Sequence, residues 1–223
     1  KCKKLKSIEG IPLCLKYLYA HGCESLETVS LPLNHSIRHL DLSQCFCLKQ
    51  DEHLLTQFLK DGQDEEDSPR FACFPGTEVP SYFDNIWTGK SYTISLPWTS
   101  SKLLGFDGCI VVACERPFHI QFSPLSYDYY WGYERYFHLY LQQDFFQCHK
   151  YSSTGEKEEE EAQTSDHLVL IRGIKNFSDS INKFGIHSDL RLPKEFESPS
   201  AEIKSCGFSL IWEDDLTDKI KTP

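Results

Sequence analysis

The sequence predicts a mainly β fold, in which the end of a repeat solenoid is followed by an antiparallel β-sandwich. An apolar pattern recurs after 22 residues within the first fifty, and stretches typical of β-strands follow from Phe71 onward. A helical and acidic segment separates the two. The predicted boundaries are 1–50 for the repeats, 51–68 for a capping helix with an acidic linker, 69–216 for the sandwich and 217–223 for a tail.

The repeats are the first element along the chain. Residues 15–23 (LKYLYAHGC) return as residues 37–45 (IRHLDLSQC) with the same apolar spacing. Both copies match the leucine-rich-repeat template L-x-x-L-x-L-x-x-N/C. One such repeat cannot bury its apolar face alone, and about three must stack for stability. Because the chain also contains no Met, we interpret it as a piece of a longer protein.

Each repeat should contain one short strand, at Tyr17–His21 and at His39–Ser43. Alternation places the leucines and Ala20 of these strands inside. The opposite side faces the concave surface, where solenoids usually bind partners. The side chains on it are Tyr17, Tyr19, His21, His39, Asp41 and Ser43. For any single one of these positions, an ordinary solvated side chain remains the alternative.

The segment between the repeats and the sandwich has two parts. Gln50–Lys60 carries apolar residues at helical spacing, which predicts one capping helix. Asp61–Ser68 (DGQDEEDS) is acidic and is expected to be a flexible connector.

The remainder of the chain predicts short strands with turn signals between them, as in an antiparallel sandwich. The predicted strands are Ser91–Leu96, Cys109–Cys114, Phe118–Phe122, Tyr136–Leu141, His167–Arg172 and Gly207–Trp212. Two stretches break this pattern. Ser123–Glu134 is predicted as a long aromatic loop, and Ser152–Ser165 as a disordered acidic segment.

Charge and cysteine usage exclude several classes of protein. The net charge is −10 and no basic stripe is visible, which argues against nucleic-acid binding. No apolar run is long enough to span a membrane, and no signal peptide is present. The cysteines lack paired C-x-x-C spacing, so we expect no metal and no cofactor. We expect reduced, buried thiols at Cys14, Cys23, Cys45, Cys109, Cys114 and Cys206.

The aromatic loop is the strongest candidate for a binding site outside the repeats. Tyrosine and tryptophan combine a large apolar area with a polar tip and dominate interface hot spots. The candidate residues are Tyr129, Tyr130, Trp131 and Tyr133. Two alternatives stay open: the rings cover one end of the sandwich, or the loop continues a strand.

Five ordered motifs resemble one family. Residues 73–83 (CFPGTEVPSYF) resemble the P-G-x-E-[IV]-P-x-[WY]-F signature of the post-repeat domain of plant intracellular immune receptors, the TIR-type nucleotide-binding leucine-rich-repeat proteins. The other motifs of that domain follow in order at 89–97, 105–112, 166–170 and 203–215. The repeats also resemble the last repeats of these receptors.

The resemblance implies a jelly-roll or immunoglobulin-like sandwich packed on the end of the repeat horseshoe, with Tyr82 and Phe83 filling the junction. It also implies that both modules recognise a pathogen effector, and that recognition drives receptor assembly and NAD hydrolysis in a TIR domain. This chain contains no P-loop motif and no pattern of a catalytic site. A buried strand cysteine such as Cys109 should be inert, so we expect no enzyme activity here.

The leading hypothesis is therefore effector recognition in the cytoplasm or nucleus. The predicted partners are a pathogen effector protein and the nucleotide-binding and TIR domains of the parent receptor, with no nucleic acid and no membrane. The predicted contact residues are Tyr129, Tyr130, Trp131, Tyr133, Tyr17, Tyr19 and His39. A structural or autoinhibitory cap of the solenoid and a carbohydrate-binding sandwich are the alternatives.

Overall fold

The structure is a computed structural model, and it describes most of the repeats and most strands of the second half. The described backbone covers residues 2–49, 52–61, 69–88, 91–95, 101–114, 118–130, 133–138, 141–145, 165–174, 181–191 and 202–214. Side chains are described over residues 2–49, 53–60, 69–88, 101–113, 166–173 and 202–214. These residues contain fourteen strands and one short α-helix.

The repeat segment, residues 2–49, forms four short strands. They are β1 (Ser7–Ile8), β2 (Tyr17–Tyr19), β3 (Thr28–Val29) and β4 (His39–Asp41). β1 pairs with β3 and β2 pairs with β4, both in parallel. The pairing offsets are 21 residues for β1 with β3 and 22 for β2 with β4, close to the 22-residue period of the sequence, and both predicted repeat strands are present in shortened form.

The segment predicted as a capping helix contains a helix whose geometry changes along its length, and its capping role remains a prediction. Helix α1 (Glu52–Thr56) continues into a π-helical turn, Gln57–Asp61. The apolar side chains that predicted the helix are all buried, namely Leu54, Leu55, Phe58 and Leu59.

The Gln57 side chain ends the hydrogen-bond ladder of the repeats. Its Oε1 accepts from the backbone N–H of Leu31 at 3.4 Å, and its Nε2 donates to the Leu31 carbonyl at 3.0 Å. The backbone of a neighbouring segment would pair with the same N–H and carbonyl of Leu31. The Gln57 amide therefore takes the place of such a segment.

The buried His35 fixes the same contact. Its Nδ1 accepts from the backbone N–H of Ile37 at 3.1 Å, and its Nε2 lies 3.3 Å from the Gln57 carbonyl. Because a backbone N–H only donates and a carbonyl only accepts, His35 is neutral, with its proton on Nε2.

Ten strands follow the helix, and their pairing shows two sheets. They are β5 (Arg70–Pro75), β6 (Asn85–Trp87), β7 (Ser91–Ser95), β8 (Leu103–Cys114), β9 (Phe118–Tyr130), β10 (Tyr133–His138), β11 (Leu141–Phe145), β12 (Ser165–Ile174), β13 (Ile181–Arg191) and β14 (Glu202–Trp212). The seven-stranded sheet has the order β2-β4-β5-β12-β8-β14-β6, and the five-stranded sheet has the order β10-β9-β13-β7, with β11 also paired to β9.

One sheet runs from the repeats into the second half of the chain. Strand β5 pairs in parallel with β4, placing Ala72 opposite Leu40, and pairs antiparallel with β12 on its other side. All other described pairings among β5 to β14 are antiparallel. The predicted domain boundaries at 50/51 and 68/69 remain predictions. Strands from both sides of them belong to one sheet, so the sheet does not mark either boundary.

Among the described side chains, one large apolar cluster lies along this sheet. It joins repeat residues such as Leu40 to the helix residue Phe58 and to residues of β5, β8 and β12. Phe83 belongs to the same core, and Tyr82 packs against it. Their packing agrees with the prediction that they fill the junction, and the junction itself remains a prediction.

The predicted aromatic loop at Ser123–Glu134 is wrong. Residues 118–130 form one long strand, β9, and β10 begins at Tyr133, which pairs with Tyr130. Tyrosine is a strong strand former, and the loop assignment gave too much weight to Asp128 and Gly132. The alternative of a continued strand was the right one for the backbone.

Two further strand assignments change. The predicted strand Tyr136–Leu141 is divided between β10, which ends at His138, and β11, which begins at Leu141. Ser165 lies in β12 and not in a disordered segment, whereas residues 152–164 lie outside the described part of the chain. The other predicted strands lie in or overlap observed ones.

Candidate functional site

Two strongly exposed aromatic side chains of the described residues lie next to each other on β2. Tyr17 is 56% exposed and Tyr19 is 61% exposed. Their rings are parallel to within 7°, with centroids 6.5 Å apart. The register places Tyr17 beside His39 and Tyr19 beside Asp41 of β4. We call this side of β2 and β4, defined by these four residues, the tyrosine face.

His39 does not have the exposure that we predicted. It is only 3% exposed, and the ring of Tyr19 lies 5.0 Å from its own ring. Asp41 is only 4% exposed, and Ser43 is fully buried. The reason is position in the sheet, since β4 has β2 on one side and β5 on the other, whereas β2 pairs with β4 alone among the described strands.

A chain of hydrogen bonds fixes the polar side chains beside Tyr19. Asp41 Oδ1 accepts from the Ser43 backbone N–H at 3.0 Å and from the Ser43 hydroxyl at 2.5 Å. Ser43 Oγ lies 2.7 Å from His21 Nδ1. Because the Ser43 hydroxyl donates to Asp41, Ser43 Oγ accepts a hydrogen bond from the His21 Nδ1–H, which fixes the orientation of that ring.

This arrangement positions a negative charge and does not activate a nucleophile. In a serine nucleophile the hydroxyl donates to a histidine base, but here the Ser43 hydroxyl donates to a carboxylate. Burial raises the pKa of Tyr19, and the neighbouring Tyr17 and Asp41 raise it further. Tyr19 therefore keeps its proton and remains a hydrogen-bond donor on the tyrosine face.

The second group of predicted contact residues lies on the other sheet. Tyr129 and Tyr130 end β9, and Tyr133 begins β10. Tyr129 is registered opposite Glu134. Trp131 lies outside the described residues. The predicted contact residues thus divide between the five-stranded sheet and the seven-stranded sheet that carries Tyr17, Tyr19 and His39.

A buried polar network joins the capping helix to the sandwich. The Tyr82 hydroxyl donates to Asp107 Oδ2 at 2.7 Å, and Arg172 Nη1 lies 3.1 and 3.2 Å from the two Asp107 oxygens. Lys60 Nζ lies 5.0 Å from the centroid of the Tyr82 ring. Burial raises the pKa of Asp107, while Arg172 and then Tyr82 act in the opposite direction.

Arg70 attaches the end of the helical segment to β5. Its Nη1 donates to the Phe58 carbonyl at 2.6 Å and its Nη2 to the Leu59 carbonyl at 3.0 Å. Carbonyls at the end of a helix lack partners within it, and a guanidinium satisfies two at once. The helix and the sandwich are therefore held as one unit by a buried cation.

Two of the sequence motifs meet at a glycine. A Cβ at Gly207 would lie 2.6 Å from Val79 Cγ1 and 3.1 Å from Phe83 Cβ. The first distance is shorter than side-chain contacts normally are and the second is tight, so a larger residue at position 207 would push Val79 and Phe83 away from β14. The motifs at 73–83 and 203–215 are far apart in the sequence but contact each other in the structure.

The cysteines follow the predicted pattern with one exception. Cys45 donates to the Ala20 carbonyl at 3.1 Å, and burial raises the pKa of Cys109 well above its usual value, as expected for an inert thiol. Cys14 was expected to be buried and is exposed, because it precedes the apolar strand positions of its repeat. The described cysteines are all free thiols, and Cys114 lies beyond the described side chains.

The described residues also bear on two other kinds of site, for metal ions and for membranes. Within those ranges, no group of three or more histidine, cysteine, aspartate or glutamate side chains is placed to hold a metal ion. The helix described here is too short to cross a membrane.

One residue linked by hydrogen bonds through Ser43 to the tyrosine face was absent from the predicted contact set, and one exposed aromatic residue lies outside the set of residues that define that face. His21 was predicted to lie on this side but was not selected, although its hydrogen bond to Ser43 ties it to Asp41. Phe46 is 59% exposed, and its ring lies 6.3 Å from that of His167 in β12. An apolar residue directly after the repeat cysteine was the available signal for Phe46.

These observations define a class of β protein in which a repeat segment and a two-sheet domain share one sheet and one core. The chain belongs to the C-JID domain family, which matches residues 74–217.

Similarity to curated proteins supports the same family assignment. The chain is 34% identical over 135 residues to Disease resistance-like protein CSA1 of Arabidopsis thaliana, covering 50% of this chain and 11% of that protein. It is 36% identical over 134 residues to Disease resistance protein RPP2B of the same plant, covering 50% and 11%. Identity to Disease resistance protein RPS4 is 34% over 140 residues, covering 52% and 11%.

The similarity confirms the predicted resemblance to the C-terminal part of TIR-type receptors and indicates a role in plant immunity. The matched region spans 11% of the length of each of these relatives.

Proposed function

We propose that this chain is the effector-recognition module of a plant intracellular immune receptor. It would combine the end of a leucine-rich-repeat solenoid with a jelly-roll or immunoglobulin-like sandwich, and it would bind a protein ligand. The observation that carries the proposal is the tyrosine face, where Tyr17 and Tyr19 are exposed on a rigid sheet. Exposed tyrosines on a rigid support are typical anchors of protein interfaces.

Two surfaces contribute in this proposal. The tyrosine face supplies Tyr17 and Tyr19, with His39 supporting the Tyr19 ring from below. The aromatic hairpin of β9 and β10 supplies Tyr129, Tyr130, Trp131 and Tyr133. A rigid β-hairpin holds its side chains at lower entropic cost than a flexible loop does, which strengthens the hairpin as a contact surface.

The remaining functions belong to the parent receptor. Binding of an effector would cause receptor assembly, and the NAD hydrolysis expected of a TIR domain would take place outside this chain. The partners are then an effector protein together with the nucleotide-binding and TIR domains. The chain needs no cofactor of its own and would act in the cytoplasm or nucleus.

A structural cap is the second candidate, and it has its own observations. The Gln57 amide ends the backbone ladder at Leu31, Arg70 holds two helix carbonyls, and β5 extends the repeat sheet. These contacts are what a solenoid end requires. In this reading the domain holds the receptor inactive through intramolecular contacts.

A pull-down of candidate pathogen effectors tests the proposal. The chain is compared with Tyr17→Ala/Tyr19→Ala and with Tyr129→Ala/Tyr130→Ala/Trp131→Ala, and Phe46→Ala serves as a control at an exposed aromatic residue that follows the second copy of the repeat. All variants are checked for equal thermal stability. Loss of binding in an aromatic variant, with Phe46→Ala unaffected, supports direct recognition.

The same variants in the full-length receptor separate the two candidates. If an equally stable variant no longer responds to the effector, the surface is used for recognition. If it signals without any effector, the contact is autoinhibitory, and the cap becomes the better description. Binding that survives in both aromatic variants contradicts the assigned contact residues.

A further inference from the structure

Tyr17 and Tyr19 present two parallel rings on one side of β2. The rings are parallel to within 7° and their centroids are 6.5 Å apart. Carbon atoms in contact are about 3.5 Å apart, so a flat group stacked between two rings needs about 7 Å. The two side chains would therefore admit a flat group after separating by about 0.5 Å.

The charge beside the tyrosines is negative. Asp41 lies opposite Tyr19 in the register. Its Oδ1 accepts both hydrogen bonds from Ser43. Strand alternation directs the neighbouring lysine and arginine, Lys16 and Arg38, to the opposite side of the sheet.

We infer that the tyrosine face binds the guanidinium of an arginine on the protein partner. This inference rests on the proposed function and specifies the partner's chemistry. The guanidinium stacks between Tyr17 and Tyr19, and Asp41 supplies the opposite charge. Arginine is the residue that combines planarity, permanent charge and stacking on aromatic faces.

Charge complementarity favours this partner over an acidic or an aromatic one. The chain has a net charge of −10, so a basic surface is attracted over a distance and an acidic one is repelled. A lysine would carry the charge without the flat shape, and an aromatic side chain would carry the shape without the charge. Each of these differences can be measured separately.

The experiment uses three small probes on the 223-residue chain. N-acetyl-arginine amide, N-acetyl-lysine amide and N-acetyl-citrulline amide are titrated to millimolar concentrations, and backbone amide shifts are followed by NMR. Citrulline has the shape of arginine without its charge. We expect shifts at residues 17–21 and 39–43, and binding of arginine about three- to tenfold tighter than that of either other probe.

Variants and salt complete the test. Tyr17→Ala and Tyr19→Ala should each weaken arginine binding, while Phe46→Ala should not. Added salt should weaken the arginine complex and leave the citrulline complex unchanged. Both tyrosines are exposed, so these variants should keep the fold, which the amide spectrum itself reports.

Three results would overturn the inference: equal binding of citrulline and arginine, arginine binding unchanged in both tyrosine variants, or no shift near β2. None of them bears on effector capture, which is tested independently by pull-down. A further outcome separates the two proposals. If an effector needs Tyr17 and Tyr19 but binds equally well after its surface arginines are changed to glutamine, the proposed function is supported and the arginine inference is contradicted.

Discussion

The two copies of the repeat have the same backbone and different surfaces. Tyr17 and Tyr19 of the first copy are mostly exposed, whereas His39 and Asp41, which occupy the same positions of the second copy, are buried. The register pairs each tyrosine with its counterpart. A shared motif therefore determines the local chain path, while the neighbouring strand determines what a side chain touches.

The composition of the two copies fits their surroundings. The second copy lies between β2 and β5, and its buried Asp41 is hydrogen-bonded twice to Ser43. A buried carboxylate needs such partners. The first copy has tyrosines, which tolerate water on one side and contact on the other. The exposed copy is thus suited to binding, and the buried copy supports it.

Between the two copies, the largest difference in unfolding free energy is expected when Asp41 is replaced. Asp41→Ala leaves two buried Ser43 donors without their acceptor, which should cost about 3 kcal/mol of unfolding free energy. Tyr19→Ala at the equivalent exposed position should cost less than about 1 kcal/mol. Urea unfolding at equilibrium measures both.

Asp41→Asn is the control for this pair. It keeps an acceptor oxygen and should lose less stability than Asp41→Ala, because only the charge is removed. Similar costs for Asp41→Ala and Tyr19→Ala would show that burial does not distinguish the two copies.

The sequence predicted what depends on local pattern. The repeat strands, the buried side of the helix and most sandwich strands follow from spacing, and the motif at 73–83 identified the family. The burial of His39 depends on β5, which lies about thirty positions further along the chain, and no local pattern contains that information. The same holds for β4–β5 pairing, which joins the repeats to the sandwich.

The candidate site was predicted in part for the same reason. The exposure of Tyr17 and Tyr19 agrees with alternation, because β2 has only β4 beside it among the described strands. The aromatic hairpin was assigned as a loop, since a glycine and an aspartate suggested a break while the tyrosines favoured a strand. Propensity and turn signals conflicted there, and long-range pairing with β13 decided the outcome.

A smaller loss of stability is expected at alkaline pH from Cys45, the repeat cysteine of the second copy. Burial raises the pKa of Cys45 from 9.0 to about 11. A pKa that is higher in the folded state means that the stability contribution is complete below pH 9.0 and is lost as the pH rises through about 11. Wild type should therefore lose more stability across this window than Cys45→Ala does.

The exposed Cys47, two residues away, is the matched control. Cys47→Ala should follow the wild-type stability curve over the same window, which cancels the titration of all other groups. Iodoacetamide followed by peptide mass spectrometry gives a second measure, since Cys47 should react in the folded chain and Cys45 should be protected. Equal labelling of the two thiols would contradict the burial of Cys45.

The smallest changes in unfolding free energy are expected in the turns that follow β2 and β4. Gly22 has a φ of 65° and Gln44, at the same position of the second copy, has a φ of 57°. A non-glycine residue in this region costs roughly 1 kcal/mol, and glycine is more flexible in the unfolded chain. Gln44→Gly should therefore stabilise the chain by about 0.5 kcal/mol, and Gly22→Ala should destabilise it by about 1 kcal/mol.

The two substitutions in the turn test whether the copies share one geometry. The backbone N–H of Gln44 donates to His167 Nε2 at 3.3 Å, and that of Gly22 donates to the Ser43 carbonyl at 2.9 Å, so neither exchange removes a hydrogen bond. Opposite signs in urea unfolding would mean that the left-handed turn is required in both copies. A loss of stability in Gln44→Gly would mean that the Gln44 side chain contributes more than its backbone strain costs, so that the copies differ even where their dihedral angles agree.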